Sequence, residues 1–116
     1  MKLKIHQKPT GNIAELQSQS IYSTVDEFLD IIGNANYQGA EKIIIPRENI
    51  HPDFFDLKTR LAGEVLQKFS TYRQKLAIVG DFSSFTSKSL QDFIRESNAI
   101  GHILFVEEIN DAIEKL

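Results

Sequence analysis

The stretch HPDFFDLKTRLAGEVLQKF, residues 51–69, brings Asp56, Lys58, Thr59 and Arg60 close together. At a helix start beyond the carboxyl end of a strand, Lys58, Thr59 and Arg60 occupy the edge where an α/β sheet binds ligands, and at least one of them is a candidate for a functional role. A second group of polar residues closes KLAIVGD with Gly80 and Asp81 and runs on through FSSFTSKS, which holds Ser83, Ser84, Thr86 and Ser87. Asp81 has the chemistry of a metal ligand or a general base. The simpler role, and the preferred one, is a loop carboxylate that accepts backbone N–H bonds. Ser83 and its neighbours read as a solvated loop and an N-cap. PRENIHP adds Arg47, Glu48, Asn49 and His51 to the same edge, with His51 a surface residue rather than a ligand.

These side chains need a scaffold, and the chain supplies an alternation of strands and helices. Lys2 to Gln7 alternates apolar and polar residues, as a half-buried strand does. KPTGN is a turn, and Asn12 to Gln17 returns as the second strand of a hairpin. Thr24 to Glu27 forms a capping-box pattern, and Val25, Phe28, Leu29 and Ile32 follow at helical spacing up to a stop at Gly39. Lys42–Pro46, Lys75–Asp81 and His102–Val106 are short apolar runs, the pattern of parallel strands buried on both faces. Leu90, Phe93, Ile94 and Ser97 share one stripe of a helix capped by Ser87 or Ser89. Ile109, Ala112, Ile113 and Leu116 belong to a short final helix.

In residues 51–69, steps of about 100° place Phe54, Leu57, Leu61, Ala62, Val65, Leu66 and Phe69 on one broad face. The expectation is one amphipathic helix from Pro52 to Phe69, with Asp53 or Asp56 as its cap. That capped-core reading accounts for Pro52, both Asp residues and every apolar position. It leaves Lys58 on the apolar arc, where it must snorkel outward or meet an acid. Gly63 falls outside the arc.

The order β-β-α-β-α-β-α-β-α implies a single α/β domain over residues 1–116: a mostly parallel five-stranded mixed sheet whose first strand is antiparallel. Helix starts beyond the carboxyl ends of the strands are where such sheets bind ligands. The candidate edge is therefore made by residues 47–60 and 81–88.

Composition narrows the function classes. The chain has 116 residues, 41% of them hydrophobic, and a net charge of −3. An acidic balance argues against nucleic acid. There is no Cys, hence no disulfide frame and no thiolate chemistry. No apolar run approaches the roughly 18 residues of a membrane span. MKLKIHQ has no apolar signal-peptide core, so the expected location is cytoplasmic. Phosphate-loop, dinucleotide-loop and nucleophile-elbow motifs are absent. His6, His51 and His102 show no metal-ligand spacing. No cofactor, no metal and no enzyme activity are expected.

The run from Asn34 to Asn98, and PDFFDLKTRLAGEVLQKFSTYR most specifically, resembles a bacterial family known only as domain of unknown function 4180. The element order resembles the anti-sigma-factor-antagonist domains (STAS, SpoIIAA-like). Those are regulatory modules that bind a protein partner, and many carry a phosphorylatable Ser or Thr at the start of the second helix, in a motif close to Asp-Ser-Ser-Gly-Leu. On that resemblance Asp56 matches the Asp, Leu61 the aliphatic residue and Thr59 the phospho-acceptor. Leu57 replaces the first Ser, Arg60 replaces the Gly, and one extra residue separates Asp56 from Leu61. The fold also includes proteins thought to bind lipids or small apolar ligands.

The first expectation is thus a non-enzymatic, partner-binding regulatory module with Asp56, Lys58, Thr59, Arg60, Asp81 and Ser83 on its contact edge. The alternative is a small-molecule or lipid-binding protein whose pocket opens between Phe54, Phe55 and Phe82. A small enzyme using Asp56 or Asp81 ranks third. A homodimer is the expected assembly. The strand Leu3–Ile5 leaves an edge guarded only by Lys2 and Lys4, and the final helix is expected to expose Ile113 and Leu116.

Overall fold

The computed structural model describes all residues from Met1 to Leu116. One sheet holds strands β1 (Lys2–His6), β2 (Asn12–Gln17), β3 (Ala40–Pro46), β4 (Lys75–Val79) and β5 (Ile103–Val106), in that spatial order. β1 pairs antiparallel with β2, and each later pair is parallel. The parallel pairs are joined by helices α1 (Val25–Tyr37), α2 (Leu61–Thr71) and α3 (Lys88–Ile100). Crossovers of one hand between sequential strands put these three helices on the same face. The final helix α4 (Ile109–Lys115) crosses to the other face.

Strand parity explains the apolar runs. Ile43, Ile45, Leu76, Ile78, Ile103 and Phe105 point to the α1–α2–α3 layer. Ile44, Ala77, Leu104 and Val106 point to α4, together with Ile13. Successive residues of a strand face opposite ways, so a strand covered on both sides needs an unbroken apolar run. β1, at the edge, alternates.

α1 begins at the expected capping box. The Glu27 N–H donates to the Thr24 hydroxyl at 3.2 Å, and the Glu27 carboxylate accepts the N–H of Ser23 at 3.0 Å and of Thr24 at 3.1 Å. These bonds hold the Glu27 carboxyl below its ordinary range, the Ser23 N–H contributing most. The chain leaves α1 through Gly39, whose φ of 81° suits a residue without Cβ.

The single helix expected from Pro52 to Phe69 is not formed. Residues Pro52–Phe55 and Leu57–Thr59 are separate 3-10 turns, Arg60 is left-handed at φ 66°, and α2 starts only at Leu61. The reason is local competition for the backbone. His51 Nδ1 accepts the Asp53 N–H at 3.0 Å, and Asp56 accepts the Lys58 N–H at 3.2 Å. The Thr59 hydroxyl faces the carbonyls of Asp53 and Asp56 at 2.6 and 2.8 Å and accepts the Leu61 N–H at 3.3 Å. The cap of the first turn is therefore His51, and that of the second is Asp56. Phe54, Ala62, Val65 and Phe69 are buried as their spacing requires. Lys58 is exposed and makes no ion pair, because the apolar arc does not continue through it.

The two outer edges of the sheet differ. At β5 the Asn98 side chain takes the place of a neighbouring strand: its oxygen accepts the Phe105 N–H at 2.7 Å, and its amide donates to the Phe105 carbonyl at 3.2 Å. At β1 no side chain closes the edge in this way. Asn98→Ala frees both groups of Phe105. It is expected to cost about 1–2 kcal/mol and to raise the tendency to associate through β5, read from urea unfolding and from sedimentation at increasing concentration.

The carboxyl end of α4 is fastened to the sheet by two lysines. Lys8 donates to the Ile113 carbonyl at 2.5 Å; Lys42, only 6% exposed, donates to the Leu116 carbonyl and to the Thr10 hydroxyl at 3.1 Å. Burial, then the charges of Lys8 and Lys75, lower the Lys42 pKa. Contrary to expectation, Leu116 is buried and Ile113 packs against the sheet, because α4 lies flat on Ile44, Ala77 and Leu104. α4 therefore does not supply the apolar patch expected around those residues. No helix is long and apolar enough to cross a membrane.

Candidate functional site

Beyond the carboxyl ends of β3 and β4 lies an open cleft of about 450 Å³. Its walls come from three segments. Ile21 arrives on a short extended piece: the Tyr22 N–H donates to the Asn49 carbonyl at 2.7 Å, and the Tyr22 carbonyl accepts the His51 N–H at 3.0 Å. The buried Asn49 amide secures the same piece through the carbonyls of Ser18 and Ser20, at 2.8 and 2.9 Å. The turn after β3 supplies Arg47, Glu48, Ile50 and Phe55. The loop after β4 supplies Gly80, Asp81 and Phe85.

Arg47 is the centre of this site. Its guanidinium lies over the Phe85 ring, 4.4 Å from the centroid, and 6.0 Å from that of Phe55. One of its nitrogens donates to the Asp81 carbonyl. It forms no ion pair. Phe55 and Phe85 stack with centroids 4.9 Å apart, and Phe82 closes the cluster behind them against Phe105. An aromatic face attracts a cation, so the guanidinium is held in place while most of its donors remain uncommitted.

Gly80 makes this placement possible. A Cβ at Gly80 would sit 2.7 Å from the Arg47 Cβ and 3.2 Å from its Cδ. The side chain of Arg47 passes directly over the bare backbone of Gly80. Beside it, the Asp81 carboxylate turns away and accepts the Ser83 N–H at 2.8 Å. The Ser83 hydroxyl, then its N–H and, more weakly, the Arg47 charge hold the Asp81 carboxyl below its ordinary range. This is the loop-cap geometry preferred for Asp81 on sequence grounds, and a carboxylate held charged in this way is a poor proton acceptor.

The six residues singled out in the sequence do not form one constellation. Asp81 lines the cleft; Asp56, Lys58, Thr59, Arg60 and Ser83 do not. Asp56 and Thr59 are joined in the double turn before α2, and Ser83 serves Asp81. Thr59 is exposed, yet its hydroxyl proton is taken up by backbone carbonyls. Of the pocket expected between Phe54, Phe55 and Phe82, only Phe55 faces the cleft; Phe54 is core at 1% exposure. Sequence reasoning placed Arg47 on the right edge but missed its pairing with Phe85, the role of Gly80 and the arrival of Ile21. These contacts join distant segments, and no local pattern announces them.

No group of three or more His, Asp or Glu side chains is arranged to hold a metal ion. No curated protein and no solved structure shows significant similarity to the chain. The family model described as Domain of unknown function (DUF4180) matches residues 8–116. The chain belongs to that family.

Proposed function

We propose that this protein is a non-enzymatic, ligand-binding module of STAS-like fold, whose cleft takes a small monoanion with an apolar body. The observation that carries this reading is Arg47: a cation in no salt bridge, fixed over Phe85 inside a concave, half-apolar site. A cleft of about 450 Å³ falls within the roughly 300–1,000 Å³ of small-molecule sites. The Arg47 N–H groups suit a carboxylate, and Ile21, Ile50 and Phe55 suit a short hydrocarbon chain. Glu48 on the rim disfavours a ligand with several negative charges. The element order, with β1 antiparallel at the edge, supports the STAS-like assignment.

The partner-binding, regulatory reading ranks second. Lys58, Thr59 and Arg60 are exposed together, which favours contact with an acidic partner. Phosphate on Thr59 would first have to break the hydroxyl's bonds to the Asp53 and Asp56 carbonyls. An enzyme built on Asp81 fits less well, because its carboxylate is committed to Ser83.

Octanoate and octanol separate these readings. In an amide-resonance titration, octanoate is expected to shift Gly80, Asp81 and the Arg47 side-chain N–H. Octanol is expected to bind more weakly. Arg47→Met should weaken octanoate binding about tenfold or more, the worth of charge-assisted hydrogen bonds, and leave octanol unchanged. Equal octanoate binding by Arg47→Met and the parent, or shifts only around Thr59, would end this reading of the cleft.

A further inference from the structure

The geometry points to a second, independent binding site at the opposite end of the sheet, for a small neutral ring compound that carries an O–H or N–H donor. A crevice of about 220 Å³ lies between α1 and the chain that leaves α2. Leu29, Ile32, Gly33 and Asn36 of α1 form one wall; Tyr72 and Gln74 form the other. It shares no residue with the Arg47 cleft.

Gln74 is the first reason to read this crevice as a site. It is 3% exposed. Its Nε2 donates to the Ala40 carbonyl at 3.0 Å. A carbonyl only accepts, so the atom facing Ala40 must be the amide nitrogen, which fixes Oε1 on the other side. That oxygen is buried and has no hydrogen-bond partner among the protein's own atoms. Buried acceptors are nearly always paired, and one that is not calls for an explanation. Gln74 is itself well anchored, since its own N–H donates to the Phe69 carbonyl at 2.9 Å. The unpaired oxygen is therefore held in a fixed position on a residue that lines the crevice.

Gly33 is the second reason. Gly inside a helix is less stable than Ala by about 1 kcal/mol. Crowding does not require it here, because a Cβ at Gly33 would meet nothing within 4 Å. Its φ is not positive either. What the missing side chain leaves is open space on the wall of the crevice.

The lining sets the ligand class. No Lys, Arg, His, Asp or Glu is among the six, so no fixed charge in the lining attracts an ion. Leu29, Ile32 and the Tyr72 ring offer apolar walls, and Gln74 offers an acceptor. Tyr72 is 58% exposed. Movement of this exposed side chain would widen the crevice toward Gln74. A compound the size of phenol fits the volume and supplies a donor.

The experiment uses phenol, toluene and benzoate as probes of one shape with a donor, with none, and with a charge. Phenol is expected to shift the Gln74 side-chain amide and the Gly33 N–H in a saturable way. Toluene should bind about tenfold more weakly, the worth of pairing a buried acceptor, and benzoate more weakly than phenol. Gly33→Leu should fill the space, abolish phenol binding and leave the fold intact. Gly33→Ala, the milder change, should melt no lower than the parent and bind phenol less well. Equal affinities for phenol and toluene, or phenol binding unchanged in both Gly33 variants, would overturn the proposal. So would a long-lived water detected at the Gln74 amide that persists at saturating phenol, because the oxygen would then already be satisfied.

Discussion

Replacing Ile44 with Asp is expected to unfold the protein at neutral pH. Ile44 has no exposed surface and lies at the middle of the central strand. It faces α4 among Ile13, Ala77 and Leu104. Removing the aliphatic side chain alone costs about 2–5 kcal/mol, and burying an unpaired carboxyl adds roughly 2 or more. The whole fold of such a domain is worth only about 5–15 kcal/mol. Nothing nearby neutralises the new charge. Glu15 is its register partner on β2 and faces the same way, so it repels. Lys42, two residues back on the same face, is committed to the Thr10 hydroxyl and the Leu116 carbonyl. Burial and Glu15 both raise the folded-state pKa of the introduced carboxyl above its unfolded value. Its ionisation penalty is therefore greatest above that raised pKa and disappears once pH falls below the unfolded value. Ile44→Val should cost only about 0.5–1.5 kcal/mol. Circular-dichroism melts of both variants at pH 7 and pH 4 read all of this. An Ile44→Asp melt that matches the parent at pH 7 would contradict the doubly covered sheet.

That sheet was legible in the sequence because burial on both faces leaves an unmistakable mark. Ile43–Ile45, Leu76–Ile78 and Ile103–Val106 have no polar position to blur the pattern. Thr24 and Glu27 marked the start of α1 just as clearly, since a capping box needs only local residues. The start of α2 was misread for a physical reason. Phe54, Leu57 and Leu61 keep helical spacing across the two 3-10 turns, so apolar phase alone cannot reveal the break. The informative signal was polar: His51, Asp56 and Thr59 are each short enough to bond their own backbone, and together they do so in preference to a continuous helix. The left-handed Arg60 carried no signal at all, because Arg has no preference for that conformation. The cleft was half legible. Its edge follows from strand polarity, but its chemistry depends on Arg47 crossing to Gly80 and Phe85, and only the folded sheet brings those residues together.

Gly80→Ala tests that crossing directly and is expected to have the second-largest effect. The added Cβ would lie 2.7 Å from the Arg47 Cβ. That atom is fixed by the backbone, so no rotation of the Arg47 side chain relieves the clash. Either the turn Arg47–Asn49 shifts or β4 does, at a cost of about 1–3 kcal/mol, as for other overpacked sites. The same shift carries the guanidinium off Phe85 and away from the Asp81 carbonyl. Gly80→Ala should therefore weaken octanoate binding about as much as Arg47→Met does, although it removes no functional group. A double-mutant cycle isolates the cause. In an Arg47→Ala background the opposing Cβ remains, and Gly80→Ala should still cost most of its stability penalty. In an Arg47→Gly background that Cβ is gone, and the penalty should largely vanish. Urea unfolding of the four-member cycle with Arg47→Gly, and of the matching cycle with Arg47→Ala, gives the two coupling energies. Couplings near zero in both cycles would mean that the penalty of Gly80→Ala comes from β4 itself, and Arg47 would then have to be held over Phe85 by something other than the bare backbone beneath it.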